Sequence, residues 1–229
     1  MPEFPSVRQA RRFHISRRLA ALLFSVTMLG VGTAASPAPA SASGSCQGYA
    51  NYVTPPSYIY VLRQSGPNKG YREKVPMRKW TKHVVGTQMP GYYPREALRA
   101  QAVFVKQYGW YYAMKGHWRG GRDAAGMCYD VKDAGDGWYV PEKRGYTTSQ
   151  SQAVDATWNW SIRKLRQDRW KFILTGYRSG AFVQCGVDSD GWHLMQHSAY
   201  DCGRDGLNWK QIILRYVSEG RMVNRLEFD

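Results

Sequence analysis

What the chain lacks narrows it first. No apolar run reaches the roughly twenty residues that a membrane-crossing helix needs. The one candidate, from Leu19 to about Gly32, falls short. Acidic residues are scarce, 17 against 32 Lys and Arg, which leaves a formal charge of +15 and a general affinity for polyanions. That charge is not gathered into a long Lys/Arg block. Its densest mixed run, Arg163-Lys164-Leu165-Arg166, reads as a solvated hairpin or helix end. A dedicated nucleic-acid arm is therefore not expected. Only four cysteines are present, none in a CxxC pair. With 43% hydrophobic and 21% charged residues, the chain is neither disordered nor membrane-embedded on average, and 229 residues suffice for one domain with a sizeable core.

The N-terminus carries Arg8, Arg11, Arg12, Arg17 and Arg18, then the short apolar run, then small residues ending Ala40-Ser41-Ala42. This is the pattern of a secretory signal peptide, and cleavage after Ala42 is expected rather than retention as an anchor. Ser16-Arg17-Arg18 leaves a twin-arginine route open. Removing residues 1–42 takes away five Arg and one Glu and leaves +11 of the formal +15. The expected organisation is a signal peptide at 1–42, an extended arm with one strand at 43–69, and a mixed domain at 70–229.

Export bears on the cysteines. Cys46, Cys128, Cys185 and Cys202 are even in number and follow the expected cleavage site, which favours two disulfides. Four cysteines allow three pairings. Cys185 with Cys202 and Cys46 with Cys128 is the expected one, since the first pair shares the C-terminal segment and the second would fasten the arm to the core. The rival is a zinc set of Cys185, His193, His197 and Cys202, which has the right residue types at loose spacing. No metal and no other cofactor is expected.

The most informative stretch is Val75 to Ala113, VPMRKWTKHVVGTQMPGYYPREALRAQAVFVKQYGWYYA. A polar run closes on Thr87-Gln88-Met89-Pro90 and turns through Gly91 to Pro94. Ala97, Leu98, Gln101, Ala102, Val105 and Tyr108 then recur at helical spacing, with Pro94 suited to the first turn and Glu96 to the positive end of the helix dipole. Elsewhere, Tyr58–Leu62 and Lys171–Tyr177 read as strands and Ser151–Trp160 as a short helix.

The same stretch resembles the core signature of the stage II sporulation protein D and amidase-enhancer family of bacterial cell-wall proteins. Val75-Pro76, Val84-Val85, Met89-Pro90, Pro94, Glu96-Ala97-Leu98 and Ala100-Gln101-Ala102-Val103 fit its pattern. Tyr129-Asp130-Val131 and the SQAVDAT run continue the match, and the resemblance extends over about residues 70–217, ending on an implied closing helix over Gly206–Val217. It implies an α+β fold: a single mixed domain with a central helix after the VVGTQMP turn, stabilised here by disulfides. Where members hold a metal after their YDV run, this chain has Lys132, Asp136 and Gly137, so none is implied.

Enzymatic members resemble lytic transglycosylases, which cleave peptidoglycan glycan strands without water. The reaction needs one carboxylic acid to protonate the leaving oxygen and then to accept the proton of the muramyl 6-hydroxyl. Where the family has that acid, this chain has Gln88, an amide that cannot titrate. The resemblance then implies a secreted cell-wall protein that binds glycan strands with weak or absent catalysis. Tyr92, Tyr93, Tyr177, Ser179 and Gln196 are the candidate binding residues, Gln196 standing for the Gln of the family's eroded GHGVGMSQWGA motif. One alternative is an active transglycosylase with a substitute carboxylate, Glu96 first and then Asp130 or Asp133. Another is a secreted binding module or activator of a cell-wall amidase. Trp80, Trp110, Tyr111, Tyr112 and Trp118 flank the site in sequence, and Trp110 and Tyr111 fit a core better than a groove.

Overall fold

Everything in this fold is hung on one long helix. The computed structural model describes residues 46, 48–114, 120–134, 139, 141, 145–167, 169–217 and 220–224, all within the unit Ser41–Asp229. The expected signal peptide, Trp118, Asp136 and Gly137 lie outside the described residues. The helix, α2 (Arg95–Ala113), follows Pro94 and has Glu96 in its first turn, as the local signals predict. It is preceded by β1 (Tyr58–Leu62), β2 (Arg72–Pro76) and α1 (Met77–Gln88).

Two apolar cores flank α2. On one side Leu98, Val103 and Phe104 pack with Ile162, Leu194, Ile213 and Tyr216. On the other, Ala102, Val105 and Trp110 pack with Ile59, Val61, Trp80 and Val84. A helix between two cores is buried around most of its circumference, and so polar residues are caught inside as well. Gln107 donates its amide to the carbonyls of Ile162 and Ile173, both at 2.9 Å, and accepts the Ile162 N–H. Buried Lys106 donates to the carbonyls of Thr157, Trp158 and Trp160. These bonds satisfy groups that would be costly to bury alone, and they fasten α2 to the chain between α3 (Thr148–Ala156) and β4 (Trp160–Arg166).

Among the described residues, three small sheets complete the α+β architecture. In the first, β1 lies between β2, antiparallel with Tyr60 opposite Lys74, and β3 (Val131–Lys132), parallel with Val61 opposite Val131. In the second, β4 is flanked by β5 (Arg169–Phe172) and β8 (Gly220–Asn224). Arg163–Arg166 therefore sits in a hairpin, but not a wholly solvated one, since Arg163 and Lys164 are buried beside the Phe172 and Trp192 rings. The third pairs β6 (Gly176–Arg178) in parallel with β7 (His193–Met195). Helices α4 (Gln196–Arg204) and α5 (Trp209–Tyr216) close the chain side of the first core.

Three boundaries differ from the sequence expectation, each for a visible reason. The helix expected over Ser151–Trp160 begins at Thr148, because Thr147 and Gln150 form a capping box, and Trp160 leaves it to pair in β4. The strand expected over Lys171–Tyr177 is broken, because residues 173–175 serve α2 instead: the Ile173 carbonyl accepts from Gln107 and the Thr175 hydroxyl bonds to the Phe104 carbonyl. The helix expected over Gly206–Val217 starts at Trp209, where Asn208 caps its N-terminus. The disulfides are Cys46–Cys128 and Cys185–Cys202, with Cα atoms 5.7 and 4.7 Å apart. The rival zinc set falls with this result, since its two cysteines are bonded to each other.

Candidate functional site

Gln88 is the last residue of α1. The helix stops there because Met89 turns extended before Pro90, whose ring disfavours helical geometry in the residue ahead of it. Buried Gln150, from the capping box of α3, donates to the Met89 carbonyl at 2.6 Å and fixes the exit. Gly91 then passes so close to Thr147 that a Cβ would lie 2.6 Å from its hydroxyl oxygen. The turn carrying Gln88 is thus held rigidly from below by the start of α3.

The opposite wall comes from a segment more than a hundred residues away. Gln196, 5% exposed at the start of α4, donates its amide to the Gln88 side-chain oxygen at 3.4 Å. Next to it, His197 shares a 3.0 Å hydrogen bond with the Tyr93 hydroxyl and takes the ring of Phe182 in stacking contact at 4.1 Å. The His197 N–H donates to the Ser179 carbonyl, which brings the β6 end to the same place. Tyr93 is 7% exposed and packs on Tyr200, and burial, with Tyr92, Tyr200 and Asp201 nearby, holds its phenol above the ordinary value. It stays a neutral hydroxyl. Tyr92 is 80% exposed and meets Tyr93 edge-on, while Phe182 is 69% exposed. The disulfide Cys185–Cys202 ties the 179–192 loop region to α4 behind them.

The structure thus sets Gln88 against Gln196, and Tyr93 and the Ser179 carbonyl against the adjacent His197, with Tyr92 meeting Tyr93 edge-on. Tyr177 is half-buried and packs against Tyr108 of α2. Trp80, Trp110 and Tyr112 are core residues, and Tyr111 packs against that core. The sequence offered His197 only as part of the rival zinc set and carried no signal for Phe182. Their role depends on a loop folding back onto the Tyr92–Tyr93 turn, for which no local signal exists.

The substitute carboxylates are occupied elsewhere. Glu96 accepts from Arg99 at 2.7 Å and from the Trp209 N–H at 3.0 Å, which joins α2 to α5. Asp133 is fully buried in a pair with Arg63 and also accepts the Gln64 N–H. Asp130 lies beside β3 and accepts the Tyr60 N–H at 2.8 Å. No acid is hydrogen-bonded to Gln88 among the described residues, and no group of three or more His, Cys, Asp or Glu stands ready there to hold a metal.

An α+β domain whose first helix ends in a rigid turn, facing the N-terminus of a later helix across an aromatic edge, is the class that these features define. Residues 67–162 match the family model described as Stage II sporulation protein, SpoIID, so this stretch of the chain is similar to that family. The match takes in α1, the Gln88 turn and α2, and stops before Gln196 and His197. No curated protein matches the chain.

Proposed function

We propose that this domain binds peptidoglycan glycan strands at the Gln88 turn and does not cleave them, or does so only weakly. The observation that carries the reading is the Gln88–Gln196 contact: an amide faces an amide where a transglycosylase needs a titrating acid. An amide can donate a hydrogen bond to a glycosidic oxygen but cannot deliver a proton, and a general acid contributes on the order of a hundredfold to ten-thousandfold in rate. Sugar faces stack on exposed rings, and Tyr92 and Phe182 supply two at the edge of the turn. Two disulfides, and the absence among the described residues of a helix long and apolar enough to span a membrane, are compatible with an exported protein. The positive balance suits the anionic polymers of a cell envelope.

The test is co-sedimentation with purified peptidoglycan followed by mass spectrometry of the soluble products. The reading expects retention of the protein and no new anhydro-muropeptides. Product formation by the unaltered chain would establish an active enzyme with another acid. Failure to sediment would remove the glycan reading altogether.

A further inference from the structure

A second recess lies apart from the Gln88 turn. A cavity of about 290 Å³ opens where the Cys46–Cys128 bridge crosses the first sheet, lined by Tyr49, Tyr58, Tyr60, Arg72 and Asp130 together with Pro56. Its walls come from β1, β2, the entry to β3 and the arm, and the arm is held by the disulfide and by the Tyr49 N–H bonded to the Ala113 carbonyl at 2.6 Å. The cavity is built from fixed parts.

Two opposite charges share it without neutralising each other. Arg72 lies flat over the Tyr60 ring at 4.2 Å and donates one guanidinium N–H to the Cys128 carbonyl at 2.7 Å. Asp130 has one carboxylate oxygen on the Tyr60 N–H. Each side chain is anchored to backbone, and no salt bridge joins the two, although Arg72 is near enough to act on the carboxyl electrostatically. Burial raises the Asp130 carboxyl to about 6, against the pull of the Tyr60 N–H and of Arg72. A carboxyl shifted by burial and set in a cleft beside a fixed cation marks a candidate site. The remaining lone pairs of Asp130 and the remaining donors of Arg72 are the unassigned polar groups of the recess.

We propose that this recess binds a small zwitterion, an α-amino acid head group, with its ammonium on Asp130, its carboxylate on Arg72 and its side chain against Tyr49 and Tyr58. A lone amine would be repelled by Arg72, and a lone carboxylate by Asp130. A neutral sugar would leave both charges without a counter-charge in a partly dehydrated place, where charge-assisted bonds are the strong ones. The same head group has two sources: a free amino acid, or the unlinked end of a diamino acid in a wall stem peptide. Only the second rests on the cell-wall reading above. The recess itself stands or falls separately from Gln88.

The experiment follows the amide signals of Tyr60 and Asp130 in the full chain by NMR while meso-diaminopimelate, cadaverine and pimelate are added in turn. The zwitterion is expected to shift both signals saturably and to bind at least tenfold more tightly than either single-charge analogue. Asp130→Asn and Arg72→Gln are each expected to weaken it tenfold or more. Tyr58→Ala, at an exposed ring, tests the side-chain wall without touching either charge and is expected to weaken binding a few-fold. Tighter binding of a stem tripeptide carrying diaminopimelate identifies the wall source, and tighter binding of the free acid identifies the other. Equal binding of all three small probes, or affinity unchanged in folded Asp130→Asn, overturns the proposal. A glycan-binding defect in Gln88 variants with this affinity intact would show the two sites to be separate.

Discussion

The Gln88 turn and the Asp130 recess have been treated in opposite ways. Each is bordered by one of the two disulfides, but side chain meets side chain at the Gln88 turn, whereas Asp130 and Arg72 are held by backbone. On the reading proposed above, position 88 holds a neutral amide where a glycan-cleaving chemistry would need a titrating acid, and Gln196 meets it with another amide. At Asp130 a charge is kept although burial disfavours it. The comparison teaches that one domain can hold an uncharged polar pair at one place and a partly buried charge at another.

The sharpest way to break that comparison is to restore the acid. In Gln88→Glu the Gln196 amide already donates to the oxygen at position 88, so a carboxylate enters with its first hydrogen bond in place. Anhydro-muropeptide release is expected to rise on the order of a hundredfold or more over the unaltered chain, measured by mass spectrometry on stem-free glycan. No gain would mean that the lesion in catalysis lies elsewhere and that the Gln88 turn is not a remnant active site.

Next come the two disulfides, which separate the regions by stability. Cys46–Cys128 closes 82 residues and Cys185–Cys202 closes 17. Chain-entropy reasoning gives about 4.5 kcal/mol for the first and about 3 kcal/mol for the second. Paired Cys→Ser variants compared by denaturant unfolding should follow that order. The first should abolish zwitterion binding at the recess and spare peptidoglycan sedimentation. The second should do the reverse.

Asp130 gives a pH-dependent prediction of comparable but smaller size. Its carboxyl is raised in the folded state from 3.8 to about 6. The folded state therefore holds the proton more tightly, and its stability rises as pH falls from above 6 to below 4. At pH 7 the ionised group costs up to about 3 kcal/mol. Asp130→Asn keeps an oxygen for the Tyr60 N–H, so it should be more stable than the unaltered chain at pH 7 and equal to it near pH 3.5. Unfolding midpoints across that range check it, and an advantage independent of pH would contradict the assigned cause.

The smallest effect is expected at the edge of the turn. Tyr92→Ala removes a ring that is almost fully exposed and should leave the melting temperature within about a degree, as surface changes do. It should weaken retention on peptidoglycan several-fold. Tyr93→Phe, which only removes the hydroxyl bonded to His197, should instead lower stability by about 1 kcal/mol. If both variants bind and melt like the unaltered chain, the aromatic edge has no part in recognition.

The legible parts of the fold were those written in local chemistry. Pro94 and Glu96 start the central helix, and apolar spacing marks what α2 buries, whereas α1 (Met77–Gln88) reads only as a polar run. Even the disulfide pairing followed from which segments the cysteines occupy. The illegible parts were contacts between distant segments. Lys106 and Gln107 lie off the apolar stripe and are buried all the same, because α2 has a core on both sides and the chain after α3 offers them carbonyls. Helix α4 had no clear signal of its own, being docked by a disulfide and a short strand, and with it came His197 and the Gln88–Gln196 contact.

The amino-acid sequence by itself determined that β1 and the central helix form, where that helix begins, and that an amide stands at position 88, since each depends on residues within a turn or two. Only the tertiary structure decided what Gln88 faces, which carboxylates are already engaged, and that Arg72 and Asp130 share a recess without pairing. Those outcomes depend on segments dozens to more than a hundred residues apart being brought together by the burial of two cores, and no local pattern records them.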